Sequence, residues 1–255
     1  MRGRLVAGNW KCNGDLASNQ QLLNRLRTDA ATFAGVTCAV CVPFPYLQQT
    51  QQLLTGTTVT WGAQDVGQFG AGAYTGAVTG AMLREFGSVY AIVGHSERRS
   101  IFGETDAVVA AKFKAALHAQ LTPILCVGET LEQRESGAME SVVRSQINAI
   151  TDAAGISALS NAIVAYEPVW AIGTGEVATP QDAQEVCSAI RSRVAETRSD
   201  TAAERLRILY GGSVKAANVA GIMAQPEVDG CLVGGASLDA EEFGGICRFY
   251  DLPVL

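Results

Sequence analysis

The chain has 255 residues, 48% of them hydrophobic and 17% charged, so it can bury a sizeable core and is not globally disordered. Its formal net charge of −6 argues against nucleic acid or an anionic membrane as the main partner, because both need a basic face. A small anionic ligand is not excluded, since it needs only local positive potential. The length suits two average domains or one large α/β barrel.

Short runs of apolar residues recur along the whole chain. They are apolar at almost every position, which is typical of strands buried on both faces in a parallel sheet. Eight runs are predicted to be strands, at residues 5–9, 37–42, 59–63, 89–94, 123–128, 162–167, 207–211 and 230–235.

Helical periodicity fills the intervals between these strands. Leu22 and Leu26 share one face of a first helix. Thr105 suits the N-cap of another helix, and Pro180 suits the first turn of a third. Strands that alternate with helices, without a linker or a low-complexity break, predict a closed (β/α)8 barrel. We expect residues 1–255 to form this single domain, with a doubly wound open sheet as the alternative.

The cysteines and the apolar runs bear on metal binding and cellular location. Of the seven cysteines, only Cys38 and Cys41 lie three apart; they fall inside an apolar run and lack matching histidines, so a zinc site is poorly supported and free thiols are expected. The stretch MRGRLVAGNW is too poor in apolar residues for a signal peptide. No uncharged apolar run approaches the roughly 18 residues that span a membrane. These features predict a soluble, cytoplasmic protein without a metal.

Polar residues gather at the predicted strand ends. In a (β/α)8 barrel the active site lies at the C-terminal ends of the strands, so these residues should meet at one mouth. Singly, a lysine is usually solvated, a histidine is usually structural, and a glutamate before proline often caps a turn. Together they supply a base, an imidazole, a cation and two glycine-rich anion cradles, which predict a phosphate-bearing substrate. The set comprises Asn9, Lys11, Gln64, His95, Ser96, Glu97, Glu129, Glu167, YGGS (210–213) and GGAS (234–237).

Five stretches that contain most of these residues resemble motifs of the triosephosphate isomerase family. They occur in family order, and the resemblance covers essentially the whole chain. The resemblance implies a TIM barrel that interconverts dihydroxyacetone phosphate and glyceraldehyde 3-phosphate in glycolysis and gluconeogenesis. It implies no metal and no organic cofactor. The stretches are GNWKCN (8–13), GHSERR (94–99), AYEPVWAIGTG (165–175), YGGS (210–213) and LVGGAS (232–237).

The resemblance also implies a role for each catalytic residue. Glu167 would remove the proton beside the substrate carbonyl, and partial desolvation at a strand end should strengthen it as a base. His95 would polarise that carbonyl as a neutral ring, because a helix N-terminus disfavours its protonation; a glutamate base facing a neutral histidine is the arrangement that the resemblance implies. Lys11 would supply positive charge, with Asn9 donating nearby.

The uncharged stretch after Glu167 is interpreted as a lid that keeps water from the enediolate. By resemblance, Tyr210 helps to latch it. The phosphate would be bound by the N–H of Gly173 together with Ser213, Gly234 and Gly235. The lid comprises Pro168, Val169, Trp170, Ala171, Ile172, Gly173, Thr174 and Gly175.

Residues 65–80 contain five glycines and no helical period, and a loop of this length is usually functional or flexible. By resemblance it is the loop of a homodimer, and its tip, Thr75, reaches the partner's site. Cys12 and Arg98 would lie at the contact. Ala77 stands where the family often has a glutamate that pairs with the partner's arginine. Arg98 is therefore expected to pair with Glu104 of its own subunit, which weakens the dimer.

Two other functions fit part of this pattern. Another barrel enzyme acting on a sugar phosphate would explain the cradles, but not His95, Glu167 and the lid together. A barrel that binds phosphorylated metabolites without turnover, or a surface adhesin, could dispense with Glu167.

Overall fold

Eight parallel strands pair in chain order, and the eighth pairs with the first to close a barrel. This is seen in a computed structural model that describes residues 2–33, 35–172, 178–196 and 200–251. The predicted barrel is confirmed, and the open sheet is wrong. The strands are β1 (Arg4–Asn9), β2 (Val36–Val42), β3 (Thr60–Ala63), β4 (Tyr90–Val93), β5 (Thr122–Val127), β6 (Ile163–Tyr166), β7 (Arg207–Tyr210) and β8 (Gly230–Val233).

Helices occupy the intervals between the strands. Within the described ranges none is long and apolar enough to cross a membrane. The α-helices are α1 (Leu16–Asp29), α2 (Leu47–Leu54), α3 (Gly80–Glu85), α4 (Ser96–Phe102), α5 (Asp106–His118), α6 (Leu131–Glu135), α7 (Met139–Ala154), α8 (Pro180–Glu196), α9 (Asp200–Arg205), α10 (Val219–Met223) and α11 (Ala240–Cys247). Short 3₁₀ segments are Ala30–Thr32, Phe44–Tyr46, Ile156–Asn161, Val169–Ala171, Gly235–Leu238 and Phe249–Asp251.

Side-chain caps set where several helices begin. The Asp15 carboxylate accepts hydrogen bonds from the N–H groups of Ala17 and Ser18, at 2.8 and 2.9 Å, and starts α1. Thr105 caps α5 through its hydroxyl, and Pro180 is the first residue of α8, so both predictions are confirmed. These caps decide where each helix leaves the barrel rim and so shape the loops around its mouth.

The strands are buried on both faces because alternate side chains point in opposite directions. On β1, Leu5 and Ala7 belong to the cluster inside the barrel. Val6 between them packs into the larger cluster beneath the helices. Apolar residues thus fill both layers, and polar side chains emerge where the strands end.

A four-charge cluster, consisting of Asp65, Arg98, Glu104 and Lys112, lies at the base of the 65–80 loop. The Lys112 ammonium bonds both Asp65 oxygens, at 2.7 and 2.8 Å, and also Glu104. Arg98 pairs with Glu104 and lies 3.2 Å from Asp65. The predicted pairing of Arg98 within its own subunit is confirmed, and Asp65 adds a second carboxylate. Two cations therefore face two anions.

We expect Lys112→Met to lower the free energy of unfolding by about 3 kcal/mol, because it leaves Asp65 and Glu104 short of a buried cation. Denaturant unfolding at one fixed protein concentration measures this. Arg144→Met is the matched control, since Arg144 pairs with Glu140 and Glu196 on the exposed surface and should matter little. Equal midpoints for the two variants would contradict the prediction.

The same variant should behave differently in acid. Burial opposes the Glu104 charge, but Lys112 and Arg98 outweigh it and lower the pKa of this carboxyl. A lowered carboxyl pKa gives stability that is present at neutral pH and is lost as the pH falls through the folded-state value. The difference in the free energy of unfolding between Lys112→Met and the unaltered chain should therefore become smaller in acid.

Candidate active site

A cavity of about 560 Å³ opens at the C-terminal ends of the strands. It brings together all four residues predicted to be catalytic and three of those predicted to bind phosphate. The fourth, Gly173, lies outside the described residues, as do Thr174 and Gly175 of the predicted lid. The predicted residues in the lining are Asn9, Lys11, His95, Glu167, Ser213, Gly234 and Gly235.

The carboxylate of Glu167 follows β6 and is only 2% exposed. Its Oε2 accepts a hydrogen bond from the Ser96 N–H at 2.9 Å. Its Oε1 accepts another from the Ser96 hydroxyl at 3.2 Å and lies 2.9 Å from Nε2 of His95. One carboxylate therefore has three donors, all from the N-cap and the first residue of α4.

These donors decide how strongly Glu167 holds a proton. Burial alone would raise the pKa of Glu167, but the contacts with His95 and Ser96 outweigh it and the pKa is lowered. The expectation that desolvation makes Glu167 a stronger base is wrong for this arrangement. The carboxylate is ionised and stabilised as it stands, and it would gain basicity only by giving up donors.

The His95 ring is oriented by the helix that follows it. His95 is the N-cap of α4, and its Nδ1 accepts a hydrogen bond from the Glu97 N–H at 3.2 Å. A lone pair at Nδ1 leaves the ring proton on Nε2, which points at Glu167. Burial tends to lower the pKa of His95, but the Glu167 charge raises it overall. The helix amide thus favours the predicted neutral ring with its proton on Nε2, whereas the neighbouring carboxylate favours the protonated ring.

Lys11 reaches the cavity through an uncommon backbone conformation. Its φ of +54° lies in the left-handed region, and its N–H donates to the side-chain oxygen of Asn9 at 3.0 Å. The ammonium bonds Glu97 at 2.6 Å. A Cβ on Gly234 would lie 3.4 Å from Cε of Lys11, so the lysine extends from β1 across to the loop after β8. The cation lies beside the predicted anion cradle.

The predicted cradle contains glycines at two strand ends. A Cβ on Gly212 would lie 2.1 Å from the hydroxyl oxygen of Tyr210, so a side chain there would have to displace the Tyr210 ring. A Cβ on Gly235 would meet no heavy atom within 4 Å, so that backbone borders open space. The loops after β7 and β8 therefore expose peptide groups to the cavity, where an anion could be bound by N–H groups.

Ser96 and Glu129 have contacts in the site that their positions at predicted strand ends do not reveal. Oε1 of Glu129 accepts hydrogen bonds from the Tyr166 hydroxyl at 3.0 Å and from the Trp170 indole at 2.9 Å, and lies 3.2 Å from Arg134. Their position at strand ends was the only signal.

In the part of the chain that the structure describes, no cluster of three or more His, Cys, Asp or Glu could hold a metal ion.

Comparison with known proteins identifies the family. A family model described as triosephosphate isomerase matches residues 4–250. The triosephosphate isomerase of Thiobacillus denitrificans is 58% identical over 248 residues, which cover 97% of this chain and 98% of that protein. The triosephosphate isomerase of Nitrosomonas europaea is 54% identical over 246 residues, covering 96% and 97%. That of Cupriavidus necator is 52% identical over 243 residues, covering 95% and 98%.

We expect Ser96→Ala to raise the pKa of Glu167, because it removes a donor that stabilises the ionised carboxylate. The side-chain carboxyl of Glu167 can be titrated by NMR in ¹³C-labelled protein. Ser100→Ala, on the exposed side of the same helix, serves as the control. An unchanged or lowered pKa in Ser96→Ala would show that this hydroxyl does not stabilise the charge.

Proposed function

The chain belongs to the triosephosphate isomerase family and interconverts dihydroxyacetone phosphate and glyceraldehyde 3-phosphate, a step of glycolysis; we propose that it does so with Glu167 as the base. The observation that carries this assignment is the Glu167 carboxylate, which faces Nε2 of His95 at 2.9 Å in the cavity at the strand ends. The same reaction in gluconeogenesis, run in the other direction, needs the same groups.

The proton transfer uses the groups that already face each other. Glu167 takes a proton from the substrate carbon beside the carbonyl, and the C–H electron pair forms the enediolate. Nε2–H of His95 donates to the carbonyl oxygen, where negative charge develops. Nε2 of His95 gives its proton to the former carbonyl oxygen and takes the hydroxyl proton from the oxygen on the neighbouring carbon, which becomes the new carbonyl. Protonated Glu167 returns its proton to the former carbonyl carbon, and both His95 and Glu167 recover their starting states.

Substrate binding changes the strength of the base. In the structure Nε2 of His95 faces Glu167, and on substrate binding its N–H donates to the substrate oxygen instead. Once Glu167 loses that donor, its burial is less well compensated and its pKa rises. The expected desolvated base would thus arise in the complex, while the free protein keeps its carboxylate stabilised.

The phosphate and the enediolate both need positive potential, and we assign this to Lys11 with Asn9 beside it. The ammonium lies next to Gly234, at the loop whose peptide groups border the cavity. We propose that N–H groups of Ser213, Gly234 and Gly235 bind the phosphate, and that Gly173 adds a further N–H.

The proposed lid begins at Pro168, and its first five residues, through Ile172, are described. Ala171 is buried, and the indole of Trp170 is bonded to Glu129. The hydroxyl of Tyr210 is buried and has no hydrogen-bond partner among the described residues. A buried unpaired hydroxyl is costly, which supports a role for Tyr210 in latching the closed lid.

We further propose a homodimer, in which the 65–80 loop of one subunit lies against the other. Phe69 and Tyr74 of this loop stack at 4.3 Å and are both exposed. At the end of α4, Ile101 and Phe102 are 72% and 65% exposed, and such apolar exposure is typical of an interface. Thr75 and Cys12 are also exposed, which leaves them free for the contact.

The remaining expectations concern the whole chain. We propose that residues 1–255 form one domain, because the family match and the closed barrel both run through nearly all of it. We also propose a cytoplasmic location, since all seven cysteines are free, as a reducing compartment would keep them.

Isomerisation of glyceraldehyde 3-phosphate, coupled to a reductase for dihydroxyacetone phosphate, tests the assignment of the base. Glu167→Asp should lower kcat about 100-fold, because the carboxylate retreats by about 1 Å while the fold is kept. Glu132→Asp, on the exposed surface of α6, is the control. Near-normal turnover of Glu167→Asp would refute the role of Glu167, and an inactive but folded wild type would favour a barrel that only binds phosphate.

Phe102→Asp should convert the dimer to monomers, because a charge replaces an exposed apolar side chain that the proposed interface would bury. Sedimentation velocity at micromolar concentration reports the mass. Leu131→Asp changes an exposed leucine on α6 and is the control. A wild type that sediments as a monomer of 26.8 kDa would contradict the proposal.

A further inference from the structure

The backbone of Glu167 is in direct contact with Gly128, the residue that follows β5. A Cβ at position 128 would lie 1.8 Å from the carbonyl oxygen of Glu167 and 2.8 Å from its carbonyl carbon, so only glycine fits. The N–H of Glu167 donates to the carbonyl of Val127 at 2.8 Å. The end of β5 therefore sets where the main chain of Glu167 can lie.

Gly128 is in turn held by one side chain on the outer helix α7. The carboxamide oxygen of Gln146 accepts a hydrogen bond from the Gly128 N–H at 2.9 Å. Its nitrogen donates to the Gly128 carbonyl at 3.1 Å. The paired register of β5 and β6 ends at Val127 and Tyr166, so Gly128 lies just beyond the ladder. Gln146 satisfies both peptide groups of this residue, as a neighbouring strand would.

The next residue, Glu129, contacts the chain on both sides of Glu167. Its Oε1 accepts hydrogen bonds from Tyr166, immediately before Glu167, and from Trp170, three residues after it. The corner formed by residues 128–129 therefore touches this segment at three places. Gln146 bonds both backbone groups of the first residue of this corner.

We propose that Gln146 is a positioning residue for the catalytic base, which rests on the role proposed for Glu167. The carboxamide of Gln146 fixes the 128–129 corner, and the corner fixes the main chain from which the carboxylate projects. Gln146 is not in the cavity lining, so it acts through Gly128 and does not touch the substrate. Glycine at 128 passes on the position of the corner without an intervening side chain.

A displaced base should slow proton transfer more than it weakens binding. The phosphate is assigned to the loops after β7 and β8, on the far side of Glu167 from the corner. The carbonyl of Tyr166 also accepts a hydrogen bond from Gly211 at 2.7 Å, so part of the restraint remains without Gln146. A 1 Å error in the position of a base can cost about 100-fold in rate. Because part of the restraint remains, we expect kcat to fall about 10-fold and KM to stay nearly unchanged.

Two substitutions separate hydrogen bonding from packing. Gln146→Leu keeps much of the side-chain volume and removes both hydrogen bonds. Gln146→Glu can accept from the Gly128 N–H at any pH, but only its protonated form can donate to the Gly128 carbonyl. Its kcat relative to wild type should therefore recover as the pH falls through the pKa of the new carboxyl, while the ratio for Gln146→Leu stays low.

The control is Asn148→Ala on the same helix. Asn148 accepts hydrogen bonds from Arg193 at 3.1 and 2.7 Å, so the control removes a comparable pair of contacts away from Gly128. Thermal unfolding of every variant tests whether the fold is kept. If Gln146→Leu does not fold, the acid recovery of Gln146→Glu still decides the matter within one folded protein.

The expected result is a lower kcat, an unchanged KM and acid recovery, with Asn148→Ala at the wild-type level. A wild-type kcat in folded Gln146→Leu, an equal loss in Asn148→Ala, or no acid recovery would overturn the proposal. An inactive wild type would instead count against the proposed function. In that case an NMR titration still tests the inference, because displacement from Ser96 should raise the pKa of Glu167 in Gln146→Leu and leave it unchanged in Asn148→Ala.

Discussion

The rest of the site depends on a buried negative charge at the end of β6. An ionised carboxylate removed from water costs several kcal/mol unless donors replace its hydration. Glu167 obtains them from His95 and Ser96, and Ser96 lies 71 residues before it in the chain. Only a fold that brings the ends of β4 and β6 to one mouth can supply them. The closed barrel is therefore a condition for the charge as well as for the cavity.

The donors that stabilise this charge also make Glu167 a weaker base. The carboxylate and the substrate compete for one of these donors. Nε2 of His95 is the donor that both Glu167 and a substrate carbonyl oxygen need. When the substrate takes it, stabilisation moves from the resting carboxylate to the charge that develops in the reaction. For this exchange to work, the main chain of Glu167 has to stay in place while its hydrogen bonds change. Gly128 on one side and Gly211 on the other meet that requirement, since each packs against residues 166–167 without a side chain.

The difference between what sequence predicts and what it misses follows from the same geometry. Apolar runs predict the eight strands, with ends that shift by at most two residues, because burial on both faces leaves a continuous signal. Motifs at the strand ends predict Glu167, His95 and Lys11, and the cavity contains all three. The partners of those residues are not predictable in this way. Periodicity tells which face a residue occupies, but not that Ser96 donates to Glu167 or that Gln146 bonds Gly128. The prediction of a more basic Glu167 is wrong for the same reason, since the pKa of this carboxyl depends on donors that only packing reveals.

Burial also decides what each lysine–carboxylate pair in this chain can do. Lys112 and Glu104 have side chains that are 9% and 6% exposed, so their ion pair is shielded from water and fixes the base of the 65–80 loop. Lys11 and Glu97 are 29% and 40% exposed, and a pair so open to solvent contributes little to stability. A phosphate can therefore compete for the Lys11 ammonium at small cost, while none could displace Lys112. The Lys11 ammonium at the mouth of the cavity is thus paired weakly enough to be available, whereas Lys112 stays paired inside the four-charge cluster.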